Sequence, residues 1–293
     1  MKSRTFLHIL IMLLLIILIF TYPLWFASGD SIYPLPSRNA KTSNLSLPMP
    51  VREALKNVIA IRAEVHVKNN TSRFLRNRFR SGGTSYMVKP GIFISARHII
   101  MVTISGLGYH FMVDRYGVPH SDIFDYSLYG TSDINNQSVD FPLTIAAMGD
   151  LSKFEDIMVL KASDYPAGLK ILELDDRILN LDDAVYNSGY IPQYVEREDR
   201  TSEILFDVIK KGYPGIIDAV NTDIQINKAG VLVLYRIETK FERGFSGGPI
   251  FNSKGQVVGM TVLHNNNHLY AISTKDLKLF INRFEDNGIV PKR

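Results

Sequence analysis

Residues 241–251 read FERGFSGGPIF, and how this stretch is read decides the fold. Three glycines and a proline crowd one serine, Ser246. A serine attacks a carbonyl only where its oxygen is exposed, a base takes its proton, and backbone N–H groups receive the developing oxyanion. Ser246 is therefore the candidate nucleophile, and Gly244 and Gly247 supply the backbone freedom such a turn needs. The segment also satisfies G-x-S-x-G, the nucleophile elbow, but an elbow must run from strand into helix. Gly247, Gly248 and Pro249 are poor helix formers, and Ile250 and Phe251 suit a strand. The elbow's histidine also follows its serine, and only His264 and His268 lie beyond Ser246. A strand–turn–strand reading remains, and it leaves the place of the histidine open. Taken without partners, the stretch also describes a glycine-rich hairpin turn.

The partners are sought upstream. In ISARHII, residues 94–100, a strand ends at Ile94-Ser95 and apolar burial resumes at Ile99-Ile100, so His98 is the one histidine of seven in a setting that suits a base. A lone histidine beside apolar residues is also a common structural residue. In KFEDIMVLKA, residues 153–162, an acidic pair opens a buried apolar strand. Asp156 at its head can sit at a barrel rim and accept the second N–H of the imidazole. The plainer reading makes Glu155 and Asp156 solvated turn charges, with Asp150 and Asp164 as alternative acids.

Short apolar runs divided by turn residues predict an all-β chain of barrel or sandwich type. After a helical piece near 52–57, strands are expected at 58–67, 84–89, 92–95, 109–114, 141–148, 184–190, 203–209, 231–238, 250–251, 256–263 and 269–272. The Arg-rich segment TSRFLRNRFR, 71–80, reads as a solvated basic loop, with an anionic lipid or acidic partner as its alternative. The Tyr- and Asp-rich stretch 117–137 reads as a surface loop. Thr274-Lys275-Asp276 opens a short amphipathic helix with Leu277, Phe280, Ile281 and Phe284 on one face.

Residues 6–20, FLHILIMLLLIILIF, are almost unbroken apolar; with Tyr22, Leu24, Trp25 and Phe26 the run is long enough to span a bilayer as a helix. Lys2 and Arg4 precede it, so the N-terminus is expected in the cytoplasm and everything beyond residue 28 outside, in a periplasm or at the cell exterior. A cleaved signal peptide ending near Ala27-Ser28-Gly29 is the alternative, and it would release the protein. Residues 29–52, rich in Pro, Ser and Asn, read as a flexible tether. The globular part is expected over 53–288: a first barrel at about 53–165, a second at about 166–273, and a helix at about 274–285.

Composition limits the function classes. At 46% hydrophobic and 21% charged, the 293 residues describe a packed protein. Two of its net +4 charges belong to Lys2 and Arg4, leaving too little for a nucleic-acid argument. The absence of cysteine excludes a disulfide framework, a thiolate zinc site and a thiol nucleophile.

His98, Asp156 and Ser246 stand in that order, 58 and 90 residues apart, on a strand-rich chain. With Ser81-Gly82-Gly83-Thr84, Ser95-Ala96-Arg97-His98, Asp156-Ile157-Met158-Val159-Leu160, Gly189-Tyr190 and Gly244-Phe245-Ser246-Gly247-Gly248-Pro249 leading to Gly255-Gln256-Val257-Val258-Gly259, the chain resembles trypsin-like serine proteases over roughly 55–285. It is most similar to their high-temperature-requirement, or Deg-type, branch. The resemblance implies two six-stranded antiparallel β-barrels of chymotrypsin type, with His98 and Asp156 from the first and Ser246 from the second. It implies a catalytic triad, an oxyanion hole from the N–H groups of Gly244 and Ser246, a polypeptide substrate, and no metal or organic cofactor. Lys240, Phe241, Val262, Leu263 and His264 would border the pocket for the substrate side chain, without the acidic group of a trypsin-like pocket. Deg-type enzymes usually carry PDZ modules after the protease domain, and with this chain stopping at Arg293 no such regulation is expected. Phe245 stands where that branch usually has asparagine and digestive enzymes have aspartate. Two other functions fit the same fold: an inactive binding or sensor module at the membrane, and an esterase with the same chemistry.

Overall fold

The computed structural model describes residues 47–67, 78–100, 124–134, 137–150, 155–191, 195–196, 202–203, 209–220, 233–265 and 268–286. Helix α1, Met49–Leu55, leads into β1 (Val58–Val67), β2 (Arg78–Lys89), β3 (Ile92–Ser95), β4 (Phe124–Ile134), β5 (Gln137–Met148) and β6 (Met158–Lys161). These six antiparallel strands close into a barrel in the order β1-β2-β3-β6-β5-β4. The following strands are β7 (Ala184–Ile191), β8 (Val195–Glu196), β9 (Ser202–Glu203), β10 (Ile209–Val220), β11 (Leu234–Thr239), β12 (Pro249–Phe251), β13 (Val257–Asn265) and β14 (His268–Ser273). All but the β8–β9 ribbon close a second six-stranded barrel in the order β10-β11-β14-β13-β12-β7. Helix α2, Thr274–Asp286, follows. The architecture is the chymotrypsin-like pair of barrels with a C-terminal helix.

One buried apolar cluster spans the two barrels, and each barrel also has a cluster of its own. Val58, Tyr86 and Ile94 of the first barrel, Tyr190, Phe251 and Met260 of the second, and Leu277, Phe280 and Ile281 of α2 belong to a single buried cluster. Burying side chains of this size contributes about 1.5–3 kcal/mol each. The Tyr190 hydroxyl, buried in that junction, donates to Val58 O at 2.8 Å, and burial pushes its pKa well above the ordinary value. Helix α2 begins with a reciprocal cap: Asp276 N–H donates to Ser273 Oγ at 3.2 Å and Ser273 Oγ donates to Asp276 Oδ2 at 2.6 Å.

Several expectations need correction. The stretch 117–137 is not a surface loop throughout, because β4 occupies Phe124–Ile134. Its inward positions carry few apolar side chains to signal a strand: at Gly130 the barrel interior is filled by the Phe141 ring, and an added Cβ would lie 2.5 Å from Phe141 Cζ. Thr131 and Ser132 are buried as well. Strand β10 lies beyond the expected strand 203–209, in a run whose pattern Gly212, Pro214 and Gly215 interrupt; it pairs with β7 from Ile209↔Ile191 to Ile216↔Ala184. Arg78 and Arg80 open β2 rather than lying in a basic loop; 71–77 lie outside the described residues. The tether does not extend to residue 52: Leu47, Val51 and Leu55 are 3%, 1% and 4% exposed and pack in the shared core. The expected strand 109–114, the middle of 203–209, and the apolar run 6–26 lie outside the described residues. Among the described residues no helix is long and apolar enough to cross a membrane.

Candidate active site

The register of one strand pair brings histidine and aspartate together. Ser95 on β3 pairs with Met158 on antiparallel β6. His98 lies three residues beyond Ser95 and Asp156 two before Met158, so both leave the barrel at the same end. His98 begins a helical turn over 98–100. Its backbone N–H donates to Asp156 Oδ1 at 2.8 Å, and its Nδ1 lies 2.6 Å from Oδ2. One carboxylate thus fixes both the main chain and the ring of the histidine, and holds the ring proton on Nδ1. Asp156, rather than Asp150 or Asp164, is the acid that meets the imidazole.

The loop before Asp156 is anchored from outside the barrel. Glu155, 7% exposed, accepts Asp150 N–H on Oε2 at 3.1 Å and Arg283 of α2 on Oε1 at 2.7 Å. Gly149 N–H donates to Ile157 O at 2.8 Å, while Arg97 Nη1 donates to Gly149 O. Glu155 is therefore not the solvated turn charge of the plainer reading.

The Ser246 turn is pressed against the same first barrel. Thr84 N–H donates to Ser246 O at 2.8 Å. A Cβ at Gly83 would lie 2.9 Å from Ser246 O and 2.2 Å from Ile99 Cδ1, so the turns bearing Ser246 and His98 both rest on β2 at this glycine. Gly247, at φ 80°, fits between Thr84 O and Ser95 Oγ, each 2.3 Å from where its Cβ would be. Around the serine, the N–H groups of Phe245, Gly247 and Gly248 go to Glu242 O, Thr261 O and Phe245 O. Among the described residues, those of Gly244 and Ser246 are given to no acceptor. Ser246 Oγ and His98 Nε2 likewise form no hydrogen bond with each other or with another described residue.

A model of the trypsin-like peptidase domain matches residues 84–260, more than half of the chain. The chain belongs to this family. Comparison with curated proteins finds no significant match. Within this trypsin-like peptidase domain, the side chains expected to border a substrate pocket separate. Lys240 and Phe241 line an open cavity beside Tyr213 and Glu242. Phe241 also meets the ring of His264 at 4.5 Å between centroids. Leu263 is 54% exposed, whereas Val262, at 7%, packs into the shared core. Burial, Arg243 and His98 together hold the His264 imidazole below its ordinary pKa.

Phe245, 2% exposed, stacks on Tyr213 at 5.9 Å and packs on Gly189, where a Cβ would lie 2.6 Å from its ring. Glu242, three residues earlier, accepts the Tyr213 hydroxyl and Lys211 Nζ, the latter at 2.9 Å. Burial and the Glu242 carboxylate push the Tyr213 hydroxyl pKa well up. Sequence reasoning missed Tyr213 and Lys211, because both sit on the unread strand β10, and missed the Arg283–Glu155 pair, which spans 128 residues.

Proposed function

We propose that the chain is a serine endopeptidase of the Deg-type branch, held at a membrane by residues 6–26 with its peptidase domain outside the cytoplasm. Ser246 attacks the peptide carbonyl, His98 takes the serine proton and returns it to the leaving amine, and Asp156 holds the imidazole tautomer and stabilises the imidazolium. The N–H groups of Gly244 and Ser246 receive the oxyanion. The observation that carries this reading is the double contact of Asp156 with His98, at 2.8 and 2.6 Å, on the barrel against which the Ser246 turn is pinned. The unbonded Ser246 Oγ and His98 Nε2 are the two atoms that substrate binding would bring together, since such bonds often tighten only in the Michaelis complex.

A serine-directed fluorophosphonate tests it. Wild-type protein should be labelled and Ser246→Ala should not; absence of label on folded wild type would favour the binding module. A peptide library then separates peptidase from esterase by whether amide bonds are cleaved.

Topology has its own test. Protease added to intact spheroplasts should digest the domain, and protection that is lost on lysis would put the domain in the cytoplasm.

In digestive trypsin-like enzymes the aspartate at this position pairs with an N-terminal ammonium; Phe245 has no charge for such a pair and is buried against Tyr213 and Gly189. A protein starting near residue 40, which keeps Leu47 and α1 in place, should be equally active with a free N-terminus or with an appended tag. A hundredfold rise in turnover and in Ser246 labelling on removing the tag would establish proteolytic activation instead.

A further inference from the structure

We propose that the Thr84 hydroxyl is a positioning group for the oxyanion hole, an inference that rests on the peptidase reading above. Thr84 lies on β2 in the first barrel and is fully buried. Its Oγ1 accepts Tyr190 N–H of β7 at 2.9 Å and donates to Gly244 O at 2.6 Å. Its backbone N–H donates to Ser246 O at 2.8 Å, and its carbonyl accepts Ser95 Oγ at 2.7 Å. One residue of the first barrel thus grips the carbonyls of residues 244 and 246, the two whose N–H groups remain unspent.

The peptide groups of the turn can be followed one at a time. The 244–245 peptide is fixed at its oxygen by Thr84 and at its N–H by Glu242 O. The 246–247 peptide is fixed at its oxygen by Thr84 N–H and at its N–H by Thr261 O. The Phe245 carbonyl accepts Gly248 N–H at 2.8 Å. Gly244 has φ 97°, and without a Cβ it has other conformations within reach that would turn its neighbouring peptides unless something holds them. The hydroxyl supplies that hold on the carbonyl side. The accepted bond from Tyr190 N–H leaves the hydroxyl proton directed to Gly244 O, because a hydroxyl has a single proton to give. Thr84 touches neither substrate nor the reacting atoms; it acts through the aim of the Gly244 and Ser246 donors, and a donor misplaced by about 1 Å can cost on the order of a hundredfold.

Thr84→Val keeps the shape and removes the hydroxyl, while Thr84→Ser keeps the hydroxyl and removes a methyl. The full-length wild type and both variants are compared by their second-order rate of fluorophosphonate labelling across pH, with melting temperature measured alongside. The valine variant should label about thirtyfold to a hundredfold more slowly. The serine variant should stay within about threefold of wild type, and the pH midpoint should be unchanged in both, because the His98–Asp156 contacts are untouched. Should the valine variant not fold, Thr84→Cys, with its weak thiol donor, replaces it under the same criteria. A valine or cysteine variant labelling within threefold of wild type would overturn the proposal, as would a serine variant as slow as the valine one. Folded wild type that takes no label refutes the peptidase reading, and this inference with it; a labelled wild type matched by the valine variant refutes this inference alone.

Discussion

Ser246→Ala and His98→Ala are each expected to lower turnover about a million-fold, and the double variant to cost little more than either alone. Nucleophile and base act as one unit: without the imidazole the hydroxyl keeps its proton, and without the hydroxyl the imidazole has nothing to deprotonate. What survives is the rate supplied by binding and by oriented N–H groups, here those of Gly244 and Ser246. Measuring kcat for the two single variants and the double variant on one peptide substrate decides the matter. Activity within tenfold of wild type in either single variant would remove that residue from the mechanism.

Asp156→Asn should lower kcat by about ten-thousandfold near neutral pH while leaving the fold intact. Asp156 accepts two N–H groups of the same residue, the His98 backbone and ring Nδ1. An amide has only one acceptor oxygen. If that oxygen stays on the backbone N–H, the amide nitrogen donates to Nδ1, and the ring proton must move to Nε2. The nitrogen that should take the serine proton is then already protonated. The opposite amide orientation sets two donors, the amide nitrogen and the backbone N–H, against each other. Melting temperature and kcat are measured together; a stable variant within tenfold of wild type would mean that Asp156 does not set the tautomer.

The candidate site is legible in the sequence because its residues stand at strand ends. His98 and Asp156 stand just beyond the paired residues Ser95 and Met158, and apolar runs mark such strands clearly. Most strands of both barrels are visible for the same reason. Strands β4 and β10 are hard to read because several of their buried positions hold small or polar residues, Gly130, Thr131 and Ser132 in one and Lys211 and Gly212 in the other. Gly130 gives its space to Phe141 and Gly212 lies beneath Leu47, so the side chain that fills the core belongs to another segment. Residues that brace the site were hidden by distance. Thr84 reaches Gly244 across 160 positions and Arg283 reaches Glu155 across 128, and no local pattern encodes pairings of that separation. The side chains expected to border a substrate pocket are not sorted by sequence alone: backbone pattern does not say that Val262 turns into the core while Leu263 is left exposed.

The ion pair between Arg283 and Glu155 ties the loop of Asp156 to the part of the chain that is made last. All six strands of the first barrel are present once synthesis passes Lys161, and His98 and Asp156 with them. The cation that holds the loop of Asp156 is not; it arrives with α2, after the whole second barrel. A growing chain therefore carries the proposed acid and base well before Arg283 can brace the loop, and the proposed nucleophile, Ser246, also comes late. If the site is the proposed peptidase centre, its bracing is complete only with the last helix, and half-made copies emerging beside one another would be poor at cutting their neighbours.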